Sequence, residues 1–384
     1  MCPVREPSPS VRVSSNEPFR SPPALRIALD VMGGDNAPDA ILSGALAAAD
    51  LLGPAGADAA ADDAHTVVLI GDRGIIEEGL EEGGLAGDPR YEIEATTEVI
   101  GMAESPTKAL RGKSDSSIVR MAELGRGSAR GGAGTVSADK ACDAIISAGN
   151  TGACVAAAQM QLRRLPGVHR PGIAVVLPTF HGPVVVCDVG ANPEPRAQHL
   201  HQYAHMASVY AERIIGVEDP KVSVMNIGGE EEKGTPLVRE TNALCRGDEG
   251  LNYVGYVEGR ELFEGKANVV VTEGFTGNVV LKLAEGLSAG IFKLIAHEIF
   301  ETDPELAMKF EPVVKKIYAK HDYHEYGGAP LLGANGICMI CHGSSEPRTI
   351  RNTIRNAIAY QKSGINEAIV ERLGCSDHAR GAGR

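Results

Sequence analysis

The sequence predicts a three-layer α/β/α sandwich built on a mixed, largely parallel sheet. Three observations carry that expectation. Apolar runs of β-type residues alternate with amphipathic helical patterns along most of the chain. Five of those runs end in a short loop rich in Gly, Asn or Ser that leads straight into a helix-like pattern. The 384 residues are 43% hydrophobic and 23% charged, an ordinary globular balance with enough chain for a large core.

Taken in order, residues 1–23 are rich in Pro and Ser without an apolar centre, which predicts a disordered leader and no signal peptide. A single α/β domain is expected over 24–374, and a polar tail over 375–384. Leu25 to Val31 reads as its first strand. Gly33 and Gly34 then permit close backbone approach, and Pro38 suits the first helical position, with Ile41, Leu42, Ala45, Ala48, Ala49 and Leu52 on the buried face. Asp35 and Asn36 sit at that helix mouth, either to cap it or to position a ligand. Gly53 to His65 and Gly125 to Lys140 read as added surface loops; within the second, Gly125-Arg-Gly-Ser-Ala-Arg-Gly131 has the outline of a dinucleotide fingerprint but follows no strand.

The second junction, Ile145 to Gly152, carries Gly149, Asn150 and Gly152. The third, Val224 to Lys233, carries Asn226, Gly228, Gly229 and Lys233. The fourth, Val269 to Asn278, carries Gly274, Gly277 and Asn278, and the fifth, Ile337 to Ser345, carries His342, Gly343, Ser344 and Ser345. Each sets the unpartnered amides of a helix N-terminus where an anion can sit. Residues 278–320 predict a protruding helical pair. Its first member is apolar on more than one face and needs two neighbours, and its second is interspersed with lysines. Core or dimer packing is the plainer expectation, and contact with a membrane surface the sharper one.

Several side chains beside these loops are candidates for anion chemistry. Lys233 and Lys282 follow glycine loops, and Lys113 stands in Arg111-Gly-Lys-Ser-Asp-Ser-Ser117. Asn150, Asn226 and Asn278 either donate to a developing oxyanion or cap their helices. Asp30 and Asp188 end strands next to glycines, where bonds to loop amides are the expectation. Cys338-Met-Ile-Cys-His342 matches a haem-attachment spacing, but in a strand its two thiols point to opposite faces, so buried cysteines are expected. His342 ends that strand and is a candidate proton donor or phosphate contact. His321 and His324 lack further ligands, so zinc is not predicted there; no metal or cofactor is predicted anywhere. Arg348, Arg351 and Arg355 recur at helical spacing on one face and, with Arg163, Arg164 and Arg170, form a candidate docking surface for an acidic partner. The chain has no Gly-x-Ser-x-Gly elbow and no full Walker loop.

From about Leu25 to Leu373 the chain resembles the PlsX-type phosphate acyltransferases. The resemblance rests on Asp30-Val-Met-Gly-Gly-Asp-Asn-Ala-Pro38, Ser147-Ala-Gly-Asn-Thr-Gly-Ala153, Asp188-Val-Gly-Ala-Asn192, Asn226-Ile-Gly-Gly-Glu-Glu-Glu-Lys-Gly-Thr235, Gly274-Phe-Thr-Gly-Asn-Val279, Tyr326-Gly-Gly-Ala-Pro-Leu-Leu-Gly333 and His342-Gly-Ser-Ser345. It implies acyl transfer from acyl carrier protein to inorganic phosphate without a redox cofactor. It also implies a homodimer with an architecture related to the isocitrate and isopropylmalate dehydrogenases, and an acyl phosphate product consumed by a membrane acyltransferase. Such chemistry needs positioning and charge more than a nucleophilic side chain. One departure is Glu273, where the family more usually has Asp.

The formal charge of -13 argues against nucleic acid as a partner and confines any dock for acidic carrier protein to a local basic patch. No apolar stretch has the length of a membrane helix, so a cytoplasmic protein, with membrane association at most peripheral, is expected. Three rivals stand beside the family reading. They are a phosphotransacylase using coenzyme A, a nicotinamide-dependent decarboxylating dehydrogenase and a non-catalytic membrane scaffold. Against the dehydrogenase stands the missing Gly-x-Gly-x-x-Gly after a strand.

Overall fold

The structure is a computed structural model that describes residues 24–54, 64–126, 137, 140–302, 308–313 and 327–381. The expected leader, most of the two added loops and the His321/His324 pair lie outside the described residues. Eleven strands form one sheet: β1 (Arg26–Asp30), β2 (Thr66–Gly71), β3 (Tyr91–Ala95), β4 (Ala144–Ser147), β5 (Gly172–Leu177), β6 (Val184–Cys187), β7 (Val222–Met225), β8 (Tyr253–Val257), β9 (Val269–Val271), β10 (Ala329–Leu332) and β11 (Ile337–Ile340). Their spatial order is β3-β2-β1-β4-β11-β10-β5-β6-β9-β7-β8.

Alternation along each strand sends side chains into two separate cores, so the sheet is covered on both faces. Ile27 and Leu29 of β1, Val67 and Leu69 of β2 and Met339 of β11 face one core. They meet α1 (Asp39–Leu46), α6 (Ala197–Tyr210) and α9 (Pro347–Ser363) there. Ala28, Val68, Ile70, Ile145 and Cys338 face the other core, with α4 (Ser117–Arg126) and α5 (Thr151–Gln161). Cys338 and Cys341 therefore do lie on opposite sides. Burial pushes the Cys341 thiol up to about 11, which keeps it protonated.

Strand direction reverses in the middle of this sheet. The strands β1, β2, β3, β4 and β11 run parallel to one another. β10 is antiparallel to β11, β5 to β10, and β6 to β5. After these successive reversals β6, β9, β7 and β8 again run parallel to one another, opposed to the first block. The glycine loops therefore do not gather at one set of carboxyl ends. Loops after β1, β4 and β11 share one edge of the sheet. Loops at Asp188, Asn226 and Gly274 share the other.

α8 (Gly274–Thr302) starts at that second edge, and only its Gly274 and Gly277 are buried. Leu283, Leu287 and Leu294 are 66%, 59% and 58% exposed, so the described chain does not supply the two neighbours the sequence calls for. Residues 308–313 are helical, which is what the structure describes of the second member of the pair. No helix among the described residues is long and apolar enough to cross a membrane. The expected polar tail is largely taken up by α10 (Ile365–Gly381), because no proline follows Cys375 to break the helix.

α1 is clamped on α9. Pro38 is its cap residue and not its first helical residue, as the sequence had suggested. A Cβ at Gly44 would stand 2.5 Å from the Pro347 carbonyl and 2.6 Å from Ile350 Cβ, so only glycine fits this crossing. Arg351 donates to the Ala47 carbonyl at 2.9 Å and pairs with Asp50 at 2.7 Å. Gly44→Val should therefore lower stability by about 1–3 kcal/mol through overpacking, read as an earlier urea midpoint with an unchanged slope.

Candidate active site

Three loops at the first edge of the sheet interlock through their backbones. Asp30, ending β1, is fully buried; it accepts from Ser147 Oγ at 2.7 Å and from the Met32 amide at 3.2 Å. Burial raises its pKa, and these bonds oppose the rise. A Cβ at Gly33 would meet Asp30 Oδ2 at 2.3 Å and Gly149 Cα at 2.8 Å, so the loops after β1 and β4 touch where no side chain fits. The Asp35 amide donates to the Gly343 carbonyl at 2.7 Å, and Asn36 Nδ2 donates to the Ser344 and Ser345 carbonyls. Asp35 and Asn36 thus tie the first loop to the fifth and do not cap α1, which has no side-chain cap.

Against this platform lies a cavity of about 290 Å³. Its apolar wall is Ile173, Ala174, Val175 and Val176 of β5 with Val189, Leu281 and Ile340, and its polar rim is Asp35, Thr151, Asn278, Lys282, Glu285 and His342. A tighter apolar crevice between Leu177, Val186 and Val280 adjoins it, sharing Val175, Val189 and Leu281. α8 reaches this edge because it runs back across the sheet from the end of β9. A rise of roughly 1.5 Å per residue carries Lys282 about 12 Å from Gly274.

Lys282 of α8 and His342 of the loop after β11 meet here. Lys282 Nζ contacts His342 Nε2 and pairs with Glu285 at 3.3 Å. The Ser344 amide donates to His342 Nδ1 at 3.2 Å, and Ser344 Oγ lies 2.7 Å from the same atom. With Nδ1 accepting, a neutral ring carries its hydrogen on Nε2, so the ring and the Lys282 ammonium are two donors facing each other, with no acceptor between them. An anionic oxygen suits that arrangement. Asn278 lines the same cavity one helical turn before Lys282.

A protein-family model described as "Fatty acid synthesis protein" matches residues 25–368. A "Phosphate acyltransferase" of Desulfitobacterium hafniense (strain DSM 10664 / DCB-2) is 43% identical over 352 residues, covering 91% of this chain and 98% of that protein. The chain belongs to this phosphate acyltransferase family. The corresponding protein of Heliobacterium modesticaldum is 41% identical over 355 residues, again 91% of this chain and 98% of that one. Among solved structures, a phosphotransacetylase from Streptococcus pyogenes superposes with a TM-score of 0.55 at 16% identity, covering 88% of this chain and 94% of that one. The EutD phosphotransacetylase of Staphylococcus aureus gives 0.51 at 17% identity, with coverage of 90% and 94%. These two establish a shared fold.

The other residues singled out in the sequence have structural duties. Asn150 caps α5, its Oδ1 accepting from the Ala153 amide at 3.0 Å while Nδ2 donates to the carbonyls of Gly101, Met102 and Glu104. Those bonds occupy the amide that an oxyanion would need. Gly152 packs α5 on Pro106, where a Cβ would come within 2.6 Å. Asp188, fully buried, accepts from the amides of Ile173, Gly190, Ala191 and Asn192. Gly274 and Gly277 let α8 approach that loop: a Cβ on Gly277 would lie 2.0 Å from the Asp188 carbonyl. Glu273 accepts from the Thr276 amide at 3.0 Å and contacts Thr276 Oγ1, so its extra methylene is absorbed in a helix cap. Asn226 Nδ2 bonds the Gly228 and Lys233 carbonyls, and Lys233 pairs with Glu230 at 2.8 Å on an exposed loop. None of Asn226, Gly228, Gly229 and Lys233 lines the cavity, because β7 points to the far edge. Ser345 is buried behind its loop, and Gly343, which does line the cavity, lies where a Cβ would strike Met102 and Asp35.

Cavity residues that the sequence reading did not single out include Met102, Thr151, Glu285 and Thr349. Thr151 was inside a motif already quoted, and Glu285 stands three residues from Lys282, a spacing that could have flagged it. Met102 had no such signal. It belongs to a loop held by Lys113, whose Nζ binds the Val99 carbonyl at 2.6 Å and Glu104 at 2.5 Å. Lys113 accordingly anchors this loop and does not line the cavity. The Lys113 bond, helped by the Gly101 amide, holds the Glu104 carboxyl below its usual range. A depressed carboxylate stabilises the fold above its unfolded pKa, roughly 4.3, and loses that contribution as pH falls through the folded value. Urea midpoints of the native chain and Glu104→Gln should differ at neutral pH and converge in acid.

Proposed function

We propose that the chain transfers a fatty acyl group from the thioester of acyl carrier protein to inorganic phosphate, releasing acyl phosphate for phospholipid synthesis. The observation that carries this reading is the meeting of Lys282, His342 and Asn278 at the polar mouth of an apolar-walled cavity, in a chain whose relatives are named phosphate acyltransferases. A phosphate oxygen attacks the thioester carbonyl, a C–O bond forms, the C–S bond breaks, and the carrier leaves as a thiolate that takes up a proton. Lys282 neutralises the phosphate. His342 donates from Nε2 to the phosphate or to the departing sulfur, and Asn278 donates to the carbonyl oxygen as it gains charge. The β5 wall receives the lipid arm.

Arg348 and Arg355 are exposed on α9, while Arg351 is spent on Asp50 and the Ala47 carbonyl. Arg164 and Arg170 are held by the His169 carbonyl and Asn192. The carrier dock is proposed on α9 at Arg348 and Arg355, chosen for their exposure and helical spacing. The exposed Leu283, Leu287 and Leu294 stripe is proposed to dock a second copy, and the helical segment at Phe310 to touch the membrane, with the protein otherwise cytoplasmic.

Incubation with acyl carrier protein thioester and labelled phosphate, followed by hydroxylamine trapping, should yield a hydroxamate. Coenzyme A thioester as the sole productive donor would favour the phosphotransacylase rival, and no phosphate-dependent release at all would favour a scaffold. Lys282→Ala should cut turnover by about 10²–10³, the scale of losing one oxyanion donor, with the melting temperature unchanged. Charge reversal at Arg348 and Arg355 together should raise the KM for the carrier thioester and leave that for phosphate; equal effects on both would reject the dock. Leu287→Glu should halve the mass seen by light scattering, and Phe310→Glu should weaken co-sedimentation with anionic liposomes.

A further inference from the structure

We propose that His201, His205 and Asp248 form a binding site for a divalent transition metal of the zinc class, separate from the acyl-transfer cavity. His201 and His205 lie one turn apart on α6, a spacing that puts both on one face of the helix. Both Nε2 atoms converge on one carboxylate oxygen, Asp248 Oδ2, at 2.8 and 3.0 Å. The rings stand edge to face with centroids 4.9 Å apart, and the three ligand atoms all lie within 4.8 Å of one another. None of the three residues lines the cavity.

The geometry is close to that of a coordination sphere. Zinc holds His nitrogen and carboxylate oxygen at about 2.0–2.1 Å in a tetrahedron, which separates neighbouring ligand atoms by roughly 3.3 Å. The two N···O distances need open by only a few tenths of an ångström to admit the ion. Asp248 is already oriented, since the Gly250 amide donates to its Oδ1 at 2.9 Å and turns Oδ2 to the histidines. Both histidines are 1% exposed in the core beside Tyr203, Met206 and Ala207, and His205 Nδ1 has no hydrogen-bond partner among the described residues. Two imidazoles buried around one shared carboxylate are costly as a hydrogen-bond cluster and gain from a ligand bond. Two nitrogen donors favour zinc, cobalt or nickel over magnesium and calcium, and three protein ligands leave a position for water. The ion would fasten the turn between α7 (Pro236–Arg246) and β8 to the central helix α6.

The test uses the full chain, stripped with chelator and kept in phosphate-free buffer. Titration with cobalt chloride should give visible absorption of the four-coordinate ion that saturates at one equivalent and is displaced by zinc. Zinc chloride should raise the melting temperature of the unsubstituted chain. Asp248→Asn, which keeps the side chain's size, and the apolar pair His201→Val with His205→Leu should each weaken cobalt binding at least tenfold. His199→Gln, on the same helix, should leave it unchanged. No cobalt spectrum and no zinc-dependent shift in the unsubstituted chain would overturn the proposal, whatever the variants do. So would undiminished binding by Asp248→Asn.

Discussion

The reversal of strand direction across β10, β5 and β6 governs where chemistry can occur in this protein. Loops that follow parallel strands share an edge, so the segments after β1, β4 and β11 are neighbours by construction. Those after β6, β7 and β9 are placed on the opposite edge by the same rule. Only a long element can join the two, and α8 does so. It begins beside Asp188 and brings Asn278 and Lys282 across to His342. The cavity is therefore a product of one helix laid against a platform of loops, with β5 as its apolar floor.

Each half of the sheet is organised around a buried aspartate at the end of a strand. Asp30 gathers Ser147 and the glycines of two loops, and Asp188 gathers four backbone amides and the start of α8. Burial raises the pKa of each, and hydrogen bonds pull it back. Both are structural carboxylates whose removal would free backbone amides, and neither lines the cavity.

Local chemistry was readable from the sequence, and spatial convergence was read only in part. The strand-loop-helix junctions and the alternation that buries Cys338 and Cys341 on opposite faces follow from short-range patterns, which also marked Lys282, Asn278 and His342 one by one without placing them together. Lys233 and Asn226 looked equivalent to them because a glycine loop carries no mark of which edge it will occupy. That depends on pairings between strands far apart in the chain. Asn150 and Arg351 illustrate a second limit. The helix cap was one of two readings open for Asn150, and the helix-to-helix tie of Arg351 depends on a partner whose position no local pattern gives. Met102 left no trace in the pattern, since nothing local tells a loop methionine at a cavity from one in solvent.

The order in which the strands are made differs from the order in which they stand. β11, which is made after every other described strand, is inserted between β4 and β10 at the middle of the sheet. Until it arrives, the nascent amino-terminal half presents a bare β4 edge, and the site has Asp35 but lacks His342. A chain that stopped before β11 would therefore leave that edge open and the cavity without His342.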